Sequence, residues 1–169
     1  SALLIHSNVS KIDINEHDCG VWIPPVISRN MSLTDIAEGL ELYIGASGAW
    51  NKKLFEHFGP LHYKKTYEDL VLCFRAALLN SLLYINESLV NYRVGVGMTK
   101  KTSEQLEIFY RLTNSYWSYV LELQVYQQRL MDLRRVMSPA IEVRNLEILL
   151  RKRCLLIWPR KVLRLLSHL

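Results

Sequence analysis

Glu68 and Asp69 stand side by side where an apolar helical pattern begins, in the stretch Lys-Thr-Tyr-Glu-Asp-Leu-Val-Leu-Cys-Phe-Arg. Two adjacent carboxylates at such a point have two readings. They can favour the positive end of a helix dipole, with Thr66 as the cap and Asp69 at the third position. Alternatively, one of them can accept a proton from an attacking hydroxyl, because a loop-to-helix junction projects a side chain into a cleft from a rigid support. The readings are compatible, since one carboxylate can cap while its neighbour reacts. A second stretch, Gly45-Ala46-Ser47-Gly48-Ala49-Trp50, lies upstream. Its small residues either let the backbone approach a neighbouring element or let a ligand approach the main chain. Trp50 and, more weakly, Trp22 are candidates for stacking on a ring, although an aromatic before an amphipathic helix also suits a core.

Other chemistries have little support in the residue types. His6, His17, His57, His62 and His168 show no metal-ligand spacing, so no metal site is expected within the chain. Cys19, Cys73 and Cys154 are odd in number and lack a CxxC spacing, which argues against a disulfide framework and a zinc site. A reducing, cytoplasmic setting follows. No Gly-rich phosphate loop, HExxH or GxSxG occurs.

The elements that must position these residues are legible in outline. The chain has 169 residues, half of them hydrophobic, enough for a sizeable core. Leu3-Leu4-Ile5 predicts a strand, and a chain that opens on a strand reads as a piece of something longer. Residues 9–20 read as a strand end and turn, and Pro24-Pro25 predicts a loop that joins no helix. Ser32 and Asp35 open a short helix to about Leu40. Leu54, Phe55 and Phe58 share one face of another, which Gly59-Pro60 stops. Leu70, Phe74, Ala77 and Leu78 predict a helix from Asp69 to about Asn80. Residues 82–94 predict two strands meeting at a tight turn around Asn86-Glu87. A long helix is expected over 103–137, with Leu106, Phe109, Tyr110, Tyr116 and Trp117 on or near its buried side. That helix packs on the core or on a second copy of the chain. Pro139 breaks it, a further helix runs over about 141–158, and Pro159 interrupts that one.

Charge is uneven. Residues 140–169 carry seven Lys or Arg against two Glu, which accounts for the whole net charge of +5. The cations Arg151, Lys152, Arg153, Arg160, Lys161 and Arg164 alternate with Leu, Ile and Trp. This composition suits an amphipathic helix on an anionic membrane surface, or an ordinary helix whose Leu face enters the core. It is too apolar for a solvated arm on nucleic acid, so no nucleic-acid partner is expected.

The segment from Leu42 to Leu61, then Tyr67 to Gly97, resembles the C-terminal half of family 2 glycosyltransferases of the GT-A fold. The shared features are the small-residue segment, the short helix ending in Phe-Gly-Pro, the acid-acid pair that opens a helix, and Tyr92-Arg93. The opening residues 2–13 also resemble the strand that follows the family's metal-binding acidic motif. That aspartate-x-aspartate motif is not found here, Asp13-Ile14-Asn15 being the nearest string, and the resemblance implies that it lies upstream. No histidine follows Tyr92-Arg93, where many relatives carry a further metal ligand.

The resemblance implies an α/β fold, with the C-terminal half of a GT-A-like nucleotide-diphospho-sugar transferase core over 1–99 and a helical C-terminal extension over 100–169. It implies an inverting glycosyltransferase acting in polysaccharide or cell-envelope synthesis. A nucleotide-sugar donor and a glycan or lipid-linked acceptor would be its partners, and Mg or Mn would be held by ligands outside this chain. Asp69 would be the base, Glu68 its supporting acid, and Gly45, Ala46, Ser47, Trp50 and Arg93 would bind substrate. The segment alone, without a donor half, would be inactive. The protein would be cytoplasmic, with a peripheral place on the inner face of the plasma membrane. The alternative is a non-catalytic scaffold or membrane-docking module derived from such a core.

Overall fold

The computed structural model describes the backbone of residues 1–95, 107–136 and 141–166, and the side chains of 1–95, 117–136 and 142–157. In chain order the elements are β1 (Leu4–Ile12), β2 (Asp18–Trp22), α1 (Pro25–Ser28), α2 (Leu33–Glu38), a 3-10 turn (Gly45–Ser47), β3 (Gly48–Trp50), α3 (Lys53–Phe58), α4 (Glu68–Leu78), β4 (Leu82–Arg93), α5 (Glu107–Val136) and α6 (Ile141–Leu166). The fold is α/β with a mixed sheet.

β1 is the middle of that sheet. β4 runs parallel along one side, while two antiparallel strands share the other. β3 pairs with Leu4–His6, and β2 pairs with Val9, Ser10 and Ile12. The reversal from β1 to β2 is made by Asp13, whose Oδ1 accepts from the N–H groups of Asn15 and His17 at 2.7 and 2.9 Å. Short polar side chains make turns in this way, by capturing backbone donors two to four residues on.

β4 is one strand, and the tight turn expected at Asn86-Glu87 is absent. Ser7 pairs with Ile85 but Asn8 pairs with Ser88, so Asn86 and Glu87 bulge out of a continuous ladder. Side-chain bonds hold the bulge: Asn8 Nδ2 donates to Asn86 Oδ1 at 3.2 Å, and the Tyr84 hydroxyl lies 2.6 Å from Asn8 Oδ1. Polar residues that look like a turn in isolation here bend a strand instead.

The helices follow local signals with three exceptions. Ser32 and Asp35 form the capping box of α2, with Ser32 Oγ accepting from the Asp35 N–H and the Asp35 carboxylate accepting from the Ser32 N–H at 2.9 Å. In contrast, Pro25 does join a helix, because it occupies the first turn of α1, where a backbone N–H has no partner to lose. The second exception is Thr66: α4 begins after Tyr67 with no side-chain cap, and the buried Thr66 hydroxyl has no hydrogen-bond partner among the described residues. Third, α6 continues through Pro159 to Leu166. The carbonyl that Pro159 leaves unbonded belongs to Leu155, a residue 75% exposed, where water can satisfy it.

One core unites these elements. Leu4, Leu42, Leu54, Phe58 and residues 70–74 meet Val125, Tyr126, Leu133, Leu146 and Leu150 from the last two helices. Arg134 of α5 bonds Glu147 of α6, while Tyr126 and Arg153 both reach Glu38, so the two helices run antiparallel. The buried side of α5 carries Val125, Tyr126, Gln128, Arg129, Asp132 and Leu133. Trp117, expected near that side, is half exposed with the Lys65 ammonium over its ring. Leu106, Phe109, Tyr110 and Tyr116 lie outside the described side chains, and Pro139 lies outside the described residues.

Candidate functional site

α4 presents Glu68 and Asp69 in its first turn, and its apolar face anchors them. Every residue from 70 to 76 is buried. Glu68 is exposed, whereas Asp69 is partly buried and its Oδ1 accepts from the Leu70 N–H at 2.8 Å. The small-residue stretch lies directly against this pair. A Cβ on Gly45 would sit 3.4 Å from Asp69 Cβ, 3.7 Å from Asp69 Oδ2 and 3.8 Å from Glu68 Oε1. The two stretches singled out in the sequence therefore meet in space.

Within the small-residue stretch the roles divide. Ala46 is exposed beside Gly45. Ser47 closes the 3-10 turn, its hydroxyl donating to the Ile44 carbonyl at 2.9 Å. Gly48 makes room for a neighbour: a Cβ there would fall 2.5 Å from the Tyr43 ring. Trp50 is half exposed at the end of β3, tilted against Phe55 with ring centroids 5.1 Å apart. Arg93 lies elsewhere. It pairs in register with Ile12, whereas Gly48 pairs with His6, so about 20 Å of extended β1 separates the two. Its guanidinium bonds Glu16 at 2.9 Å and the carbonyls of Asp13 and Ile14, clamping the β1–β2 turn.

Asp69 lines a cavity of about 250 Å³ whose other walls include Trp22, Leu42, Tyr43, Ile44 and Tyr67. Burial raises the proton affinity of the Asp69 carboxyl above the ordinary carboxylate range, and the Glu68 charge adds to this. The N–H groups of Leu70 and Gly45 act in the opposite direction without cancelling it. Burial, reinforced by the Asp69 charge, raises the Tyr43 phenol as well, so Tyr43 stays protonated. Burial pushes the Cys73 thiol, one turn along α4, up to about 12, which leaves it neutral and unreactive at physiological pH.

Behind Tyr43 lies His6, 1% exposed, with its ring 5.4 Å from the Tyr43 ring and 5.5 Å from that of Tyr84. Neither ring nitrogen has a hydrogen-bond partner among the described residues, and burial lowers its pKa to about 4. Uncharged at neutral pH, His6 supports the cavity wall as a ring.

Sequence reasoning missed the groups that hold the site from behind. Arg129 of α5 is fully buried and donates to the carbonyls of Ala37 and Gly39, both at 2.9 Å, and to that of Leu70 at 3.0 Å. It thus ties the loop that leads into Leu42 and Tyr43 to the turn that carries Asp69. Arg75 makes a bidentate pair with Asp132 at 2.7 and 2.9 Å and donates to the Gly59 carbonyl at 2.9 Å. Gln128 completes the cluster, bonding Asp132 and accepting from the His62 N–H. The available signal was an arginine inside the buried run of α4, between Phe74 and Ala76.

Of the basic tail, Arg151 bonds Glu147 at 2.8 Å, Arg153 bonds Glu38 at 2.7 Å, and Lys152 is exposed. The side chains of Arg160, Lys161 and Arg164 lie outside the described ones. Among the described residues, no group of three or more His, Cys, Asp or Glu is placed to hold a metal ion, and no helix is long and apolar enough to cross a membrane. No known protein-family profile, curated protein or solved structure matches the chain.

Proposed function

We propose that this chain is the acceptor-side part of an inverting glycosyltransferase with a GT-A-like core, and that Asp69 is its base. The supporting observation is a partly buried carboxylate of raised proton affinity on the wall of a cavity with three aromatic side chains. Trp22 and Tyr67, both partly exposed, offer ring faces on which a sugar can lie, while Tyr43 is buried in the wall. A hydroxyl of a glycan or lipid-linked acceptor beside Asp69 gives its proton to the carboxylate as its oxygen bonds the anomeric carbon of a nucleotide-activated sugar. The bond to the nucleoside diphosphate breaks on the opposite face, and the configuration inverts. A carboxylate with raised proton affinity is the stronger base, and the neighbouring Glu68 charge helps keep it so.

The resemblance also implies a divalent metal on the donor side. The residues described here do not supply a ligand set for it, and no step above runs through it. The reading is tested on the full-length protein by nucleoside diphosphate release from a panel of nucleotide-sugars, with and without glycan and lipid-linked acceptors. Acceptor-dependent release from one donor is expected. Absence of acceptor-dependent release from every donor would leave the non-catalytic scaffold in its place.

A further inference from the structure

We infer that the outer face of α6 docks on an anionic lipid bilayer. Arg144, Ile148, Arg151, Lys152 and Leu155 recur every three or four residues and so share one face of the helix. All five are exposed, with Ile148 at 59% and Leu155 at 75%, while Leu146 and Leu150 on the opposite side are buried in the core. The inner face of this helix is therefore taken up by the core, and the outer aliphatic pair is left mostly exposed.

Charge identifies the occupant. Glu147, the carboxylate beside this face, is engaged by Arg134 and Arg151. Arg144 and Lys152 have no ion-pair partner among the described residues, and they flank Ile148. Residues 140–169 also hold the whole net charge of +5. Cations around exposed aliphatics match a bilayer surface, where the aliphatics enter the acyl boundary and the basic heads reach the phosphates. A nucleic-acid backbone would satisfy the cations but give Ile148 and Leu155 nothing to bury against. No described helix is long and apolar enough to span, so α6 lies along the surface. The inference does not depend on the transferase reading, and it relocates the membrane contact: Arg153, held by Glu38 on the inner side, takes no part.

Vesicle flotation of the complete chain tests it, comparing phosphatidylcholine vesicles with ones containing about one-third phosphatidylserine. Binding is expected only to the anionic vesicles, and added salt should weaken it. Arg144→Ser with Lys152→Ser should weaken binding roughly thirty-fold, two cations' worth. Ile148→Ser with Leu155→Ser should weaken it roughly a hundred-fold while the salt dependence remains. These side chains are exposed, so an unchanged thermal transition is expected in both variants. Equal binding to both vesicle types overturns the inference, as does undiminished binding by either variant. Displacement of the chain from vesicles by a DNA duplex at equal phosphate concentration overturns it too.

Discussion

His6 and Asp69 both neighbour Tyr43 and are buried to different degrees, and they respond to pH with opposite sign. The pKa of His6 is about 4 in the folded chain against 6.5 for an ordinary histidine. Its contribution to stability is complete above the ordinary value and declines as pH falls from there towards 4. At 1.36 kcal/mol per unit, the loss approaches about 3 kcal/mol. Urea midpoints at neutral pH and near pH 4.5 should therefore converge in His6→Phe, which keeps a ring between Tyr43 and Tyr84. An equally large acid loss in that variant would place the sensitivity elsewhere. For Asp69 the folded chain binds the proton more tightly, so its contribution is fullest below the ordinary carboxylate range and is lost as pH rises through the raised value. The acid pair was legible because it stands at the start of a local helical pattern. The cavity wall and its backing were not, because strand pairing sets His6 beside Tyr84, and Tyr43 reaches them from a loop far along the chain.

At the scale of elements, α4 and α5 are joined through charge as well as apolar contact. Arg75 and Asp132 are both 0% exposed, so removing one partner strands the other charge in the core. Asp132→Ala should cost about 3–5 kcal/mol in denaturant unfolding, and Arg75→Met with Asp132→Leu should recover much of that loss. A double variant no more stable than Asp132→Ala would show that the cluster fixes geometry beyond pairing its charges. Because α5 supplies Asp132, Gln128 and Arg129, a chain ending at Gly97 should lack a cooperative thermal transition; a sharp one would contradict this. Local signals made α2, α3 and α4 readable: the Ser32 box, the Gly59-Pro60 stop, and the spacing of Leu70 and Phe74. Long-range pairing hid the rest. Asn86-Glu87 became a bulge through bonds to Asn8, and α6 passed Pro159 because the freed carbonyl lies on an exposed side.

For the molecule as a whole, the helical half is not an appendage to the sheet half. Arg129 reaches from α5 to Leu70 on the cavity wall and to the Ala37 and Gly39 carbonyls just before residues 40–44 of that wall, so residues beyond 100 hold the site from behind. Composition located the positive charge in the tail but could not show which cations turn inward, since Arg153 and Lys152 are neighbours with opposite fates. The central claim is that Asp69 takes the acceptor's proton. Its most direct test is the transfer rate of Asp69→Asn in the full-length protein, measured together with melting temperature and alongside Glu68→Gln. Asparagine keeps the size of the side chain and can still accept from the Leu70 N–H, while burying no charge. The account predicts a rate lower by a factor of about 10²–10⁴ with a melting temperature at neutral pH equal to or above the unsubstituted value. Near-normal turnover in Asp69→Asn would contradict it, and a loss confined to Glu68→Gln would move the base next door.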